Sequence, residues 1–147
     1  MKNRLIDEET FSVVLPEDWE DITEDLGDPE APLTLAAGES GVGILQISDD
    51  IDHEGELSHI TTAELGRLLE EFAEYQRYEP KSDRQIYPGD ISLVGQSFQS
   101  EGDFVRVWYA SDGKTTLLVT YICEWPQKDV EDAAREVIAR SIRFKGL

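Results

Sequence analysis

Few side chains in this sequence have the types and spacing that catalysis needs. The two histidines, His53 and His59, are six apart, and the one cysteine, Cys123, lies far along the chain. Two imidazoles share a helical face around zinc at a spacing of about four, so no zinc site is expected. A nucleophilic Cys123 or serine needs a histidine base beside it. Cys123 falls inside a run of strand-forming residues and reads as a small buried hydrophobe. Asp50, Asp52 and Glu54 alternate before Gly55, like the opening of a calcium loop in which carboxylates converge on one hard cation. The twelfth position of that pattern is Thr61, where a bidentate Glu is required, and no apolar helix precedes it. The 49–56 loop therefore reads as solvated acid, with small-ligand or metal binding there as the alternative function. Gly41-Val42-Gly43 follows a turn and does not lead from a strand into a helix, so it is no phosphate cradle. Asp18 and Asp21 can in principle work as an acid–base pair, but among 32 acids the closeness of one pair carries no information. No catalytic residue, metal or cofactor is expected, and the chain does not read as an enzyme.

The richest stretch is Phe104 to Trp125, where two runs of β-branched and aromatic residues flank Asp112-Gly113. An Asp-Gly pair suits a two-residue turn, which sets Trp108 opposite Leu117, Arg106 opposite Val119 and Phe104 opposite Tyr121. Side chains alternate across a strand, so these six share one face. The other face takes Val105, Val107, Tyr109, Leu118, Thr120 and Ile122. Both faces are apolar, which places the hairpin centrally in a sheet covered at least in part on both sides. Phe104, Trp108 and Tyr121 around Arg106 are the residue types that dominate interface hot spots. This face is the expected partner-binding surface, with Trp19 and the neighbouring acids Asp18 and Asp21.

The elements that position these residues follow from pattern. Phe11–Leu15 reads as a strand stopped by Pro16, and 33–37 and 42–48 read as a second hairpin. Residues 17–25 read as acidic and irregular, anchored by Trp19 and Ile22. Thr61 and Glu64 form a capping box, with Ile60 and Leu65 as a hydrophobic staple. Leu65, Leu68, Leu69, Phe72 and Tyr75 then make one helical stripe before Pro80. Tyr87–Asp90 reads as a turn and Ile91–Gln99 as a strand. Asp129–Arg140 reads as a second helix with Val130, Ala134, Val137 and Ile138 inward, and 141–144 as a closing strand. Strands in consecutive runs, broken by two helices, define an α+β fold rather than a parallel doubly wound sheet.

Composition sets the rest. At 147 residues the chain has the length of one domain. A single cysteine allows no internal disulfide, there is no membrane-length apolar run, and the start lacks a secretory signal, so a cytoplasmic location is expected. The net charge of −19 is uneven: residues 1–60 hold 17 acids against Lys2 and Arg4. Such a chain repels nucleic acid and anionic membranes and admits a basic protein partner.

Phe11 to Leu15 followed by Pro16-Glu17-Asp18-Trp19 resembles the strand-Leu-Pro-x-x-Trp opening of PsbP-like domains. The late strand pair, a last helix and Ser141-Ile142-Arg143-Phe144 are similar to their ending. The resemblance spans nearly the whole chain. It implies one α+β domain over residues 1–147: a single curved antiparallel sheet of about six strands with two main helices packed on it. Proteins of this fold group include photosystem accessory proteins, nuclear-transport cofactors and bacterial chaperones of secreted effectors, and small acidic cytoplasmic forms are similar to immunity proteins. The resemblance therefore implies a non-catalytic, stoichiometric protein binder.

Overall fold

The computed structural model describes residues 3–38, 41–49 and 61–145. The strands in chain order are β1 (Arg4–Asp7), β2 (Phe11–Leu15), β3 (Trp19–Asp21), β4 (Leu33–Ala37), β5 (Gly43–Asp49), β6 (Glu79–Pro80), β7 (Gln85–Tyr87), β8 (Ser92–Ser100), β9 (Asp103–Ser111), β10 (Thr116–Glu124) and β11 (Arg143–Phe144). Helix α1 (Thr62–Gln76) stands between β5 and β6, and α2 (Asp132–Arg140) between β10 and β11. The fold is α+β with antiparallel pairing throughout the described strands.

The expectation of one sheet of about six strands needs correction. Eight strands form one sheet in the order β3-β4-β5-β10-β9-β8-β6, with β7 also on β8, and β1-β2-β11 form a second, three-stranded sheet. The additional strands β1, β3, β6 and β7 are two to four residues long and mostly exposed. Pieces that short carry no hydrophobic period and are defined by their hydrogen bonds. The β9–β10 hairpin lies at the middle of the large sheet, as its two apolar faces require.

The hairpin loop is longer than a two-residue turn. It runs from Asp112 to Thr115, and Ser111 pairs with Thr116. Asp112 drives this: its Oδ1 accepts the backbone N–H of Lys114 (2.9 Å) and Thr115 (2.8 Å), closing a wider turn, and Gly113 takes φ 97°. Val119 thus faces Trp108 and Tyr121 faces Arg106. The register moves by two, so every side chain keeps its expected face.

Each face has its own cover. The first carries Phe104, Trp108, Leu117, Val119 and Tyr121 and packs on β2 and on Ile138, Ala139 and Ile142. The opposite face carries Val94, Phe98, Val105, Val107 and Tyr109 and packs on α1 through Leu65, Leu68, Leu69 and Ala73. The capping box of α1 forms as expected: Thr61 Oγ1 accepts the Glu64 N–H at 3.2 Å, and Glu64 Oε1 accepts the Thr61 N–H at 3.3 Å. Ile60, the staple partner, lies outside the described residues. Tyr75 is 82% exposed and off the stripe, and Ala73 is buried in its place. Helix α2 starts at Asp132, three residues later than expected, so Val130 precedes it; Val130 and Val137 prove exposed while Arg135 turns inward.

Candidate binding surfaces

The expected partner-binding face is interior. Phe104 and Arg106 are 4% exposed, Trp19 is 2% exposed, and Trp108 and Tyr121 are fully buried. These five are core residues, a correction with a simple cause. Aromatic and arginine side chains serve cores and hot spots alike, and the chain's own β2, β11 and α2 close over this face. Asp18 and Asp21 are exposed, and Asp21 Oδ1 accepts the N–H of Thr23 at 2.9 Å. The acidic loop at 50–56, His53 and His59 lie outside the described residues. Among the described residues no cluster of three or more His, Cys, Asp or Glu side chains is placed to hold a metal ion. No helix among them is long and apolar enough to cross a membrane.

Burying Arg106 demands partners, because an isolated charge in a core is costly. Its Nε donates to Glu136 Oε1 at 2.9 Å, Nη1 to Ser97 Oγ at 2.9 Å, and Nη2 to Tyr87 Oη at 2.7 Å and to Gln85. Tyr87 Oη in turn donates to Glu136 Oε2 at 2.6 Å. Burial, then the hydrogen bond to Glu136, pushes the Tyr87 hydroxyl above its ordinary pKa. The guanidinium lies 5.4 Å from the Trp108 ring centroid. Gly95 gives both groups room, since a Cβ there would come within 2.7 Å of the Trp108 ring.

A second buried cluster pins α2 to β5. Glu131 Oε1 accepts the Tyr121 hydroxyl at 2.7 Å and the Gly43 N–H at 3.1 Å. Arg135 crosses the Phe104 and Tyr121 rings at 4.7 and 5.0 Å and donates from Nη1 to the Lys128 carbonyl at 2.7 Å. Burial raises the Tyr121 hydroxyl far above its usual pKa, and Glu131 adds to the effect. Burial also pushes the Cys123 thiol up. A buried, protonated thiol is a poor nucleophile, consistent with a packing role for Cys123.

The exposed apolar surface lies elsewhere. Helix α1 packs on β8 and β9. Beyond it, on the same face of the sheet, a groove of about 430 Å³ opens over β4, β5 and β10. Its floor includes Ile22, Ala36, Ile44 and Ile122, with Ile44 and Ile122 directly opposed and 45% and 41% exposed. Asp103 and Glu124 line one end. Glu20 is exposed opposite Ala36 on the neighbouring strand. The sequence placed Ile122 on the mainly aliphatic face; that α1 stops short of it depends on where the helix docks.

No family model and no curated protein matches this chain. Solved structures do. Cyanobacterial PsbP (CyanoP) from Synechocystis sp. aligns over 97% of this chain and 92% of its own length, with a TM-score of 0.64 at 9% identity. A protein of Bacteroides thetaiotaomicron aligns over 92% of this chain and 45% of its own, with a TM-score of 0.57 at 17% identity. A mutant of the protein Mog1 aligns over 97% and 96%, with a TM-score of 0.51 at 9% identity. The chain therefore has the fold shared by PsbP and Mog1, and at these identities the likeness is one of fold.

Proposed function

We propose that residues 1–147 act as one non-catalytic binding domain, and that the groove over β4, β5 and β10 seats a basic, amphipathic segment of a partner protein. The observation that carries this reading is the pairing of half-exposed Ile44 and Ile122 with the acids Glu20, Asp103 and Glu124 around them. Apolar side chains of the partner fill the floor, and its lysines or arginines meet the rim. The −15 balance of residues 1–60 steers such a partner and makes association fall with salt. In its most specific form the domain is a cytoplasmic bacterial immunity protein or effector-associated chaperone that occludes its partner one to one. The resemblance of the chain's opening and ending to PsbP-like domains supports that form.

The test compares capture of protein from the native lysate by the wild-type chain and by Ile122→Asp, followed by titration of the purified partner. Full burial of an isoleucine is worth ~1.5–3 kcal/mol, so the exposed two-fifths of each groove isoleucine contributes about 1 kcal/mol on docking. Ile122→Asp removes that and adds a like charge to the rim, so affinity should fall by at least about tenfold. Trp108→Ala serves as the contrast and should cost stability at unchanged affinity per folded molecule. Equal binding by wild type and Ile122→Asp refutes the groove.

A further inference from the structure

We propose a second binding site, of opposite sign, in the cleft between β7 and α2, which takes a small ligand bearing a carboxylate or phosphate oxyanion. The cleft has a volume of about 450 Å³ and is lined by Arg106, Arg135 and Arg140, with Tyr87, Asp132 and Glu136. Tyr87 and Arg140 also border an adjoining hollow of about 140 Å³ that adds Arg143. The chain holds 32 acids against 13 bases, so a carboxylate partner for every cation is plentiful. Among the described residues, only Arg106 of these four arginines has one. Arg135, Arg140 and Arg143 make no ion pair among the described residues.

Two of these cations are held in place by rings. Arg140 lies 5.6 Å from the Tyr87 centroid, and Arg135 crosses Phe104 and Tyr121. A ring face attracts a cation without consuming its N–H donors, so the guanidinium stays oriented and able to donate. Arg135 is 94% buried, and its Nε has no hydrogen-bond partner. A buried donor without a partner carries a desolvation cost, which a shift of the Arg135 guanidinium toward an oxyanion in the cleft would relieve. Both oxygens of Glu136 are already engaged, by Arg106 and by Tyr87. Three arginines against Asp132 and Glu136 leave the cleft net positive in a strongly negative molecule. Guanidinium forks match carboxylate and phosphate oxygens in pairs.

The experiment is thermal unfolding of the wild-type chain with succinate or inorganic phosphate against sodium chloride of equal ionic strength. A ligand at ten times its Kd should raise the melting temperature by roughly 3–5 °C. The larger rise identifies the ligand as carboxylate or phosphate. Arg140→Gln, at an exposed position, should fold normally and weaken binding about tenfold. Asp132→Asn removes a repelling charge and should tighten binding about threefold, a gain that a merely structural cluster does not give. Melting temperatures that match the chloride control with both anions overturn the proposal. So does a response that Arg140→Gln and Asp132→Asn leave unchanged.

Discussion

Removing Glu136 isolates the charge of Arg106 inside the protein, and the cost can be worked from the contacts. Arg106 has one ionised partner, Glu136; Ser97, Gln85 and Tyr87 are neutral. Deleting one member of a buried pair costs ~3–5 kcal/mol. The Glu136 side chain is 30% exposed, so water can partly replace it, and Glu136→Ala should sit at the low end, about 3 kcal/mol. Arg106→Met differs. It removes the charge, keeps an apolar stem against Trp108, and frees a Glu136 that already reaches solvent. Its cost is the lost ring contact and hydrogen bonds, about 1–2 kcal/mol. The double variant should then cost little more than Arg106→Met alone, which gives a coupling of about 2 kcal/mol. Urea unfolding of the four proteins measures all three values, and Glu136→Ala should also lower the melting temperature by roughly 6–12 °C. If Glu136→Ala costs under about 1 kcal/mol, or if the two single costs simply add, the carboxylate is not what sustains the buried guanidinium.

Two further predictions concern Tyr121. A Cβ on Gly43 would lie 2.4 Å from the Tyr121 ring, whose hydroxyl is tied to Glu131. With no room for the ring to swing, Gly43→Ala should cost about 3 kcal/mol, at the upper end of overpacking, and a loss under about 1 kcal/mol in urea unfolding refutes the clash. Burial raises the Tyr78, Tyr87, Tyr121 and Cys123 groups above their ordinary values of 10.0 for tyrosine and 9.0 for cysteine. The folded state therefore keeps protons that the unfolded state releases, so this stabilisation is complete below about pH 9 and is lost as pH rises beyond it. Urea midpoints should fall steadily on the alkaline side, with the share of tyrosinate absorbance at 295 nm that belongs to the buried hydroxyls appearing together with unfolding; a midpoint unchanged up to about pH 11 contradicts the burial of these hydroxyls.

Local signals proved legible where one interaction decides the outcome. The Thr61–Glu64 box fixes the start of α1, and alternation fixes the two faces of β9 and β10 through a two-residue change of register. The strands β1, β3, β6 and β7 are too short to carry a period of their own and are set by pairing with the longer β2, β4 and β8, close in sequence for β1 and β7 and farther along the chain for β3 and β6. The facing of α2 was illegible for a different reason. Apolar spacing turns Val130 and Val137 inward, but Arg135 lays its stem and guanidinium across Phe104 and Tyr121 and takes the inner position. Counting an arginine as polar misplaces the whole helix by a fraction of a turn.

The same arginine shows why the candidate surfaces could not be read from residue types. The aromatic and arginine residues that look like an interface are those the fold consumes as core, and what stays open is set by how far each cover extends. Helix α1 stops short of Ile44 and Ile122 and leaves an apolar floor among acids on one face of the sheet. On the other face α2 brings arginines together above Tyr87. Net charge describes neither surface. The −19 total is mostly the −15 of residues 1–60, whereas residues 128–147 carry five bases against four acids. Beyond a Debye length of about 8 Å at physiological salt, each surface is felt chiefly through its own charges, so one sheet can present an acidic groove and a basic cleft back to back.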